Sequence, residues 1–368
     1  MRAFRPSLAA RTMDPIPAAT QSQPSQDFYG LTRTALAGRL AGQGLPSYRA
    51  DQIFTWVYRK HHRSPAGMTN LPAGLRERFE SLCDLELPRV ASVHGTRDGL
   101  THKFVIALAD GARVESVSMR TEKRLTYCVS SQVGCALKCT FCATGLMGLQ
   151  RNLTAGEIVA QVVAMGDFHR WQDERFNLVF MGMGEPLANY EPMMEAIRIL
   201  HDPRGIHLGA RRITVSTSGV VPQIRRLAEE GLPLGLAISL HATTDALRDR
   251  LVPLNRRWPL AELLPSAREY GRRTGRRVTL EYTLLAGVND GEEDAVRLGA
   301  IARDLPSKVN LIPYNPVPGL EWNRPSPESV DGFARWLWPI APAVTVRHTQ
   351  GGEIWAACGQ LGGLSPAA

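Results

Sequence analysis

The feature that most constrains the fold is a regular alternation of strand-like and helix-like segments from Leu125 onward. Short apolar runs with the length of buried strands cover residues 125–131, 176–182, 212–216, 235–240, 278–285, 308–313 and 343–348. Amphipathic stretches lie between them, near residues 155–171, 190–201, 221–231, 244–273, 292–304 and 328–338. Alternating β and α units place their strands parallel, with right-handed crossovers. The pattern therefore predicts an α/β fold, an open or partial (β/α)6-type barrel over residues 125–350.

Two shorter regions precede the barrel. Residues 1–26 are rich in Arg, Ser, Ala and Pro and lack the apolar core of a secretory signal, so we expect a disordered tail. Residues 27–89 predict a small N-terminal helical domain. Its apolar stripe at helical spacing consists of Tyr48, Ile53, Phe54, Val57 and Tyr58. Basic side chains around the stripe form either a solvated helix face or a surface that binds phosphates. They are Arg49, Arg59, Lys60, His61, His62 and Arg63.

The period changes to two between residues 90 and 124, which is typical of strands. Two apolar runs, 104–108 and 114–117, flank the dipeptide Asp110-Gly111, a strong signal for a tight hairpin. We therefore predict a β-hairpin extension over residues 90–124. Glu115 lies inside the second run, although a lone carboxylate in a strand most often faces solvent.

The strongest chemical signal follows the first barrel strand. Cys135, Cys139 and Cys142 have the spacing C-x3-C-x2-C, with no fourth cysteine within reach along the sequence. Three soft thiolates on one loop are typical ligands of a metal centre. A closed zinc site or an ordinary four-iron cluster takes four ligands, so three thiolates on a cubane would leave one iron open for chemistry. The alternatives are a zinc loop with a distant fourth ligand and three cysteines buried as small apolar side chains.

Polar and glycine-containing motifs end four of the other predicted strands. In (β/α) barrels the reacting groups lie at the C-terminal ends of the strands, where the cysteine loop also belongs. The motifs cover residues 182–186, 216–219, 239–241 and 313–316. Any single one is explained by a turn or a helix cap. Together with the cysteine loop, they indicate a ligand pocket.

The composition narrows the class of partner and the compartment. The chain carries 43 Lys and Arg against 35 Asp and Glu, a net charge of +8, which favours a polyanionic partner such as RNA or reflects a generically basic surface. No apolar run approaches the roughly 18 residues of a membrane span. Four of the six cysteines lie within fifteen positions, unlike the disulfide framework of a secreted protein. We expect a cytoplasmic protein, and a monomer because no coiled-coil pattern is present.

The conjunction of motifs resembles the radical S-adenosylmethionine enzymes and, within them, the RlmN/Cfr family of RNA methyltransferases. The similarity runs from about Leu31 to Leu361 and is carried by the cysteine loop and by residues 181–187, 216–222, 239–241 and 357–361. It implies a radical S-adenosylmethionine barrel whose [4Fe–4S] cluster is ligated by Cys135, Cys139 and Cys142. It implies cosubstrate contacts from Gly184, Glu185, Ser216, Ser239, Leu240, His241 and Asn315.

The resemblance also implies a reaction. The product would be an adenosine methylated at C2, in 23S rRNA at the peptidyl transferase centre and in tRNA next to the anticodon. Cys358, in a C-terminal loop over 351–368, would first become S-methylcysteine, because the electron-poor C2 disfavours direct methyl transfer. A radical formed on that methyl group would add to C2, and Glu115 would act as general base. Cys128 would then attack the sulfur of Cys358 and leave a transient disulfide, which an electron-donor protein would reduce.

Several alternatives stay open at this point. Without the resemblance, Cys358 and Cys128 would be interpreted as buried structural thiols, and Cys83 is in any case interpreted as a core or incidental residue. A Cfr-type enzyme would methylate C8, a radical enzyme could act on a substrate other than RNA, and a cluster or zinc protein need not be an enzyme.

Only ten residues follow Cys358, whereas members of the family commonly have a longer basic tail. We therefore expect RNA contacts on the helical domain, which would be an RNA-binding accessory domain, and on pairs of arginines in the barrel. These are Arg211, Arg212, Arg256, Arg257, Arg272, Arg273, Arg276 and Arg277.

Overall fold

The computed structural model describes residues 27–122, 124–171, 175–347 and 349–362, so the predicted tail over 1–26 and the last six residues lie outside the described part of the chain. Twelve strands are present in those ranges. They are β1 (Arg89–Gly95), β2 (Thr101–Ala107), β3 (Arg113–Thr121), β4 (Arg124–Cys128), β5 (Gln132–Gly134), β6 (Leu149–Asn152), β7 (Phe176–Phe180), β8 (Ile213–Thr217), β9 (Gly235–Ser239), β10 (Val278–Leu284), β11 (Ser307–Pro313) and β12 (Val344–Val346).

Ten of these strands form one sheet in the order β1-β2-β3-β4-β7-β8-β9-β10-β11-β12, and β5 and β6 form a separate antiparallel pair. Neighbours from β1 to β4 are antiparallel, and every pair from β4 to β12 is parallel. The parallel part is the predicted barrel. The sheet does not close on itself, because β1 and β12 are its two edge strands. The predicted hairpin is confirmed as β2 and β3, which continue directly into the barrel sheet.

The helices lie between the strands and in the N-terminal region. They are α1 (Arg33–Ala41), α2 (Tyr48–Phe54), α3 (Ala73–Glu77), α4 (Phe79–Leu82), α5 (Ala143–Met147), α6 (Ala155–Phe168), α7 (Tyr190–His201), α8 (Val221–Leu227), α9 (Asp245–Leu251), α10 (Leu260–Thr274), α11 (Glu292–Arg303) and α12 (Pro327–Leu337). The stretch predicted over 244–273 is two helices, because a 3-10 turn, Pro253–Arg256, and then Pro259 interrupt it. Proline donates no backbone N–H and disfavours a helical conformation in the residue before it.

The parallel strands are apolar because helices cover them. Ile213 and Val215 of β8, and Leu280 and Tyr282 of β10, are completely buried. Strands buried on both faces have nearly continuous apolar sequences, and each buried side chain of this size contributes about 1.5–3 kcal/mol. The helix α6 begins at a capping box in which Thr154 and Glu157 satisfy each other's backbone N–H groups, as the sequence predicts.

The N-terminal helices pack against α6 and α7 through an aromatic cluster that includes Phe28, Phe54 and Tyr58. Tyr48, predicted to belong to this apolar stripe, is 52% exposed, so that part of the prediction was wrong. It is the first residue of α2 and therefore lies at the edge of the stripe. Within the described ranges, no helix has both the length and the apolar character that a bilayer crossing requires.

Candidate active site

The cysteine loop lies between β5 and α5, just beyond the C-terminal end of β4. The backbone N–H of Cys135 donates to the carbonyl of Gly148 at 2.9 Å, and that of Cys142 donates to the carbonyl of Cys139 at 3.2 Å. Lys138, between the cysteines, has a φ of 55°, which tightens the turn. All three cysteines are half-buried free thiols that line one cavity of about 120 Å³. The structure therefore brings the three predicted ligands together.

The donor set fits an iron–sulfur cluster. Burial raises the pKa of the Cys135 thiol to about 12 and raises that of Cys139 further, so thiolates at this site need a bound cation. Three soft thiolates on one loop suit a cubane, in which each cysteine binds a different iron atom.

Most of the residues predicted to bind the cosubstrate line the same cavity. Gly184, Glu185, Ser216, Ser239 and His241 are on its wall, contributed by the ends of β7, β8 and β9. Leu240 is fully buried behind them, and its backbone N–H donates to the carbonyl of Glu281 at 3.0 Å. Asn315 lines a neighbouring cavity instead.

Gly184 is required by the geometry of the turn after β7. Its φ is 99°, which side chains rarely tolerate, and a Cβ there would lie 2.6 Å from the Cβ of Gln132. The side chain of Gln132 accepts a hydrogen bond from the Glu185 backbone at 2.8 Å, which fixes this turn against β5. The close approach therefore positions the loop that faces the cysteines.

Glu185 ties two strand ends together. Its carboxylate accepts hydrogen bonds from the backbone N–H of Ser218 at 2.8 Å and of Leu187 at 3.1 Å. Burial raises the pKa of this carboxyl to about 7, although the same hydrogen bonds oppose that shift. The side chain is therefore both a wall of the cavity and a brace between the ends of β7 and β8.

His241 is held in one neutral tautomer. Its Nδ1 accepts a hydrogen bond from the backbone N–H of Thr283 at 3.0 Å, so a proton on the neutral ring resides on Nε2. Burial, with a further contribution from Arg248, lowers its pKa to about 3. The cavity therefore has an uncharged N–H donor on this wall.

Arg248 is a positioning residue that the sequence did not reveal. It is completely buried, although it lies on α9 in the charged run Arg248-Asp249-Arg250. Its guanidinium donates to the carbonyls of Ser218 at 2.6 Å, Ser239 at 3.1 Å and Leu240 at 3.1 Å, and to Oδ1 of Asn255 at 2.8 Å. One side chain thereby fixes the ends of β8 and β9.

A second, smaller cavity of about 30 Å³ is lined by both Cys128 and Cys358. The two are free thiols, and Met181 lines this cavity as well as the first. Cys358 is exposed as a residue, whereas Cys128 is buried. The protein packed around the Cys358 sulfur desolvates the thiol and raises its pKa to about 11, with Arg347 acting in the opposite direction. Burial likewise raises the pKa of Cys128 to about 12.

The C-terminal loop is fastened on both sides of Cys358. The side-chain amide of Asn315 donates to the carbonyl of Cys358 at 3.2 Å, and the Asn315 oxygen accepts from Thr349 at 2.9 Å. The carbonyl of Gly359 accepts from the backbone of Ala143 at 2.8 Å, next to the cysteine loop. Asn315 therefore holds the loop that carries Cys358.

Glu115 is buried, and a lysine that the sequence analysis overlooked lies beside it. Lys103 is completely buried, with its Nζ 3.5 Å from the Glu115 carboxylate and 3.4 Å from the carbonyl of Trp355. The other carboxylate oxygen accepts from the backbone of Gly362 at 3.1 Å. The available signal was a second charge, of opposite sign to Glu115, directly before the first apolar run of the hairpin.

Comparisons with known proteins agree with this arrangement. A family model described as "Radical SAM superfamily" matches residues 129–299, and one described as "Ribosomal RNA large subunit methyltransferase N-terminal domain" matches residues 26–85. The chain is 50% identical over 339 residues to the probable dual-specificity RNA methyltransferase RlmN of Symbiobacterium thermophilum, with 91% of each chain covered. The chain belongs to the RlmN family of radical S-adenosylmethionine RNA methyltransferases.

Further relatives support the same family. The chain is 45% identical over 352 residues to the dual-specificity RNA methyltransferase RlmN of Dinoroseobacter shibae, covering 91% of this chain and 89% of that one. The crystal structure of a radical SAM methyltransferase from Sphaerobacter thermophilus is similar with a TM-score of 0.87 at 49% identity, covering 91% of this chain and 98% of that one. The predicted radical S-adenosylmethionine α/β fold is thereby confirmed.

In this member of the RlmN family, most of the arginine pairs expected to bind RNA lie at the end of the barrel opposite the cysteine loop. Six of the eight lie just before β8, at the end of α10 or just before β10, namely Arg211, Arg212, Arg272, Arg273, Arg276 and Arg277. These positions are at the N-terminal ends of the strands, opposite the cysteine loop. Only Arg256 and Arg257 follow α9 on the loop side. RNA contacts by these eight arginines stay a prediction, which RNA binding by charge-neutralised variants tests.

Part of the basic group in the N-terminal region also has a structural use. Arg63 forms a 2.5 Å ion pair with Asp167, and the ring of His61 stacks on Trp171 at 4.1 Å between ring centres. Both contacts attach this region to α6 and to the residues after it. These two side chains therefore attach the N-terminal region to the rest of the protein and do not belong to an open basic surface.

Proposed function

We propose that this chain methylates C2 of an adenosine in 23S rRNA, at the peptidyl transferase centre, and in tRNA, next to the anticodon, with Cys358 as the methyl carrier. The observation that supports the proposal most is that Cys358 and Cys128 share one cavity, which adjoins the cavity of the cysteine loop at Met181. Two thiols beside a three-cysteine loop suit a reaction in which one sulfur takes up a carbon and passes it to the substrate. The second thiol then breaks the bond between that sulfur and the carbon.

The first cavity would hold the cofactors. Cys135, Cys139 and Cys142 would ligate a [4Fe–4S] cluster, and the cavity wall would contact S-adenosylmethionine through Gly184, Glu185, Ser216, Ser239, Leu240 and His241. Bound there, the cluster and the cosubstrate would supply radical chemistry, namely the removal of a hydrogen atom from the methyl group on Cys358. Asn315, which lines the neighbouring cavity and holds the Cys358 carbonyl, would be a further contact to the cosubstrate.

The second cavity would hold the two thiols that carry and release the methyl group. Cys358 would take up a methyl group on its sulfur after losing its proton, with the charge of Arg347 favouring the thiolate. Once the carbon radical on Cys358 has added to C2 and the adduct has lost one electron to the cluster, Glu115 would remove the C2 proton. The thiolate of Cys128 would then attack the Cys358 sulfur, so that an S–S bond forms as the C–S bond breaks, and the released carbon would take up a proton to become the methyl group of the product.

Residues 27–89 would be the RNA-binding accessory domain, 90–124 the β-hairpin extension, 125–350 the barrel and 351–368 the carrier loop. An electron-donor protein would reduce the cluster and the Cys128–Cys358 disulfide. The enzyme would act as a monomer in the cytoplasm.

Nucleoside mass spectrometry tests the reaction. The reconstituted, reduced protein is incubated anaerobically with S-adenosylmethionine and either a 23S rRNA fragment or a tRNA transcript. We expect 2-methyladenosine from the unmodified protein and from Cys83→Ala, which removes a buried thiol outside both cavities, but none from Cys358→Ala. Formation of 8-methyladenosine would overturn the assignment to C2, and an unmethylated RNA alongside active cosubstrate cleavage would overturn the RNA substrate.

A further inference from the structure

A third cavity of about 550 Å³ is lined by Glu115 together with residues that the proposed function leaves without a role. Its wall is formed by the starts of β1 and β3, the middle of β2, and the loops that follow β4 and β7. The lining residues are Arg89, Ala91, Ser92, Val105, Gly111, Ala112, Arg113, Glu115, Val133, Met147, Gln150 and Met183. The volume lies within the range of about 300–1,000 Å³ that is usual for ligand sites.

Strand register puts two arginines in one row next to Glu115. Arg89 of β1 pairs with Ala107 of β2, and Ala107 pairs with Arg113 of β3. Directly paired residues share a face of a sheet, and side chains two apart along a strand do as well. Arg113 and Glu115 therefore project into the same cavity. Two strand spacings separate the backbones of the arginines, about 10 Å.

The row lies at the mouth of the barrel. The pairing of β3 with β4 runs from Thr121, opposite Arg124, to Val117, opposite Cys128. The start of β3, with Arg113, therefore extends past the C-terminal end of β4, on the side of the cysteine loop. Both arginines are exposed, so an incoming polyanion has access to them.

The cavity wall below the arginines is largely apolar. Val105, Val133, Met147 and Met183 contribute it, and Met147 remains 37% exposed. Aliphatic and thioether side chains of this kind pack against the flat face of an aromatic ring. Glu115 is the carboxylate among the lining residues. The cavity thus combines a cationic rim, an apolar wall and one acidic group at depth.

We propose that this cavity receives the target nucleotide of a single-stranded or flipped-out stretch of RNA, with Arg89 and Arg113 binding its flanking phosphates. The purine lies against Val105 and Met183, with its C2 edge toward Glu115. This inference rests on the proposed function, because Glu115 has to contact the reacting position only if it is the base of that reaction. A base modified at its ring has to leave the helical stack, which explains why a pocket rather than a flat surface is present.

The arginines are tested by RNA binding, which does not require a cluster. Arg89→Gln, Arg113→Gln and the double variant are compared with Arg335→Gln on α12, which removes the same charge away from the cavity. Affinity for an unmodified tRNA transcript is measured by fluorescence anisotropy between about 50 and 200 mM KCl. Each single change is expected to weaken binding about fivefold and to reduce the slope of log K against log salt by about one. The Arg335 variant is expected to keep the original slope.

The apolar wall is tested by filling it. Ala112→Trp places an indole in the cavity and leaves both arginines intact. RNA affinity and salt slope are expected to stay within about twofold of the unmodified protein, because phosphate contacts dominate them. RNA methylation is expected to fall at least about 100-fold, because the base can no longer enter. Full methylation by Ala112→Trp would overturn the placement of the base.

The results separate this inference from the function on which it rests. If the unmodified protein methylates RNA and the arginine variants bind with unchanged affinity and slope, the proposed pocket is wrong and the function stands. If the unmodified protein makes no methylated adenosine while the arginine variants lose RNA affinity, the function is wrong and the arginines still form an RNA site.

Discussion

The ammonium of Lys103 lies 3.5 Å from the carboxylate of Glu115, and both side chains are buried. The pair extends from the hairpin to both sides of the loop that carries Cys358. Lys103 contacts the carbonyl of Trp355, and Glu115 accepts from the backbone of Gly362. The group proposed as general base therefore also helps to fix the position of the proposed methyl carrier.

Removing the lysine alone should destabilise the protein strongly. Lys103→Met leaves the Glu115 carboxylate buried without its cation, and breaking one side of a buried ion pair costs about 3–5 kcal/mol. Lys103→Met combined with Glu115→Gln should cost less, because no charge is left unpaired. Urea unfolding compares the two with Lys308→Met, an exposed lysine on β11. An equal loss of unfolding free energy in the single and double variants would show that the Lys103–Glu115 ion pair contributes nothing to stability.

Arg248→Lys should loosen the cosubstrate site while keeping the charge. Lysine cannot reproduce the forked donor geometry that reaches Ser218, Ser239 and Leu240 at once. Carbonyls left unsatisfied cost about 1–3 kcal/mol each, and S-adenosylmethionine affinity should fall about tenfold. Equilibrium dialysis with reconstituted protein measures this loss. The exposed Arg250→Lys on the same helix is the control, and equal affinities in both variants would contradict the positioning role.

The sequence predicted the barrel well because each parallel strand is a buried apolar run with helices on either side. The α9–α10 break was missed because the apolar spacing continues past Pro259 and masks the interruption. Lys103 and Arg248 were missed for another reason. Their partners lie on other strands and strand ends that only the fold brings beside them, so in the sequence each charge resembles a solvated one.

Gly184→Ala should disable the cosubstrate site. The added Cβ would lie 2.6 Å from that of Gln132, at a φ of 99°, so the turn has to move. We expect a destabilisation of about 1–3 kcal/mol and at least a tenfold loss of S-adenosylmethionine cleavage, roughly the effect of a strained backbone position next to the site. Gly209→Ala is the control, because the methyl group added there would face open space, with no contact within 4 Å. Cleavage at the unmodified rate in Gly184→Ala would refute this role of the turn.

The pH dependence of stability should contain a contribution from His241. Its pKa is about 3 in the folded protein, below the ordinary value of 6.5, so between these values the unfolded chain binds a proton that the folded chain does not. Stability is therefore retained above pH 6.5 and falls as the pH decreases, by about 2 kcal/mol from pH 7 to pH 5. Urea unfolding at the two values should show a smaller difference in His241→Gln. The exposed His207→Gln should behave like the unmodified protein.

The most direct test of the carrier role of Cys358 follows the methyl carbon from the protein to the RNA. Protein whose Cys358 has been methylated with ordinary S-adenosylmethionine is freed of cosubstrate and given RNA with S-adenosylmethionine bearing a CD₃ group. If Cys358 is the carrier, the 2-methyladenosine of the first turnover contains the unlabelled carbon from the protein, and label enters only in later turnovers. A first product that already carries the deuterated methyl group would contradict the carrier role of Cys358 and, with it, the central claim.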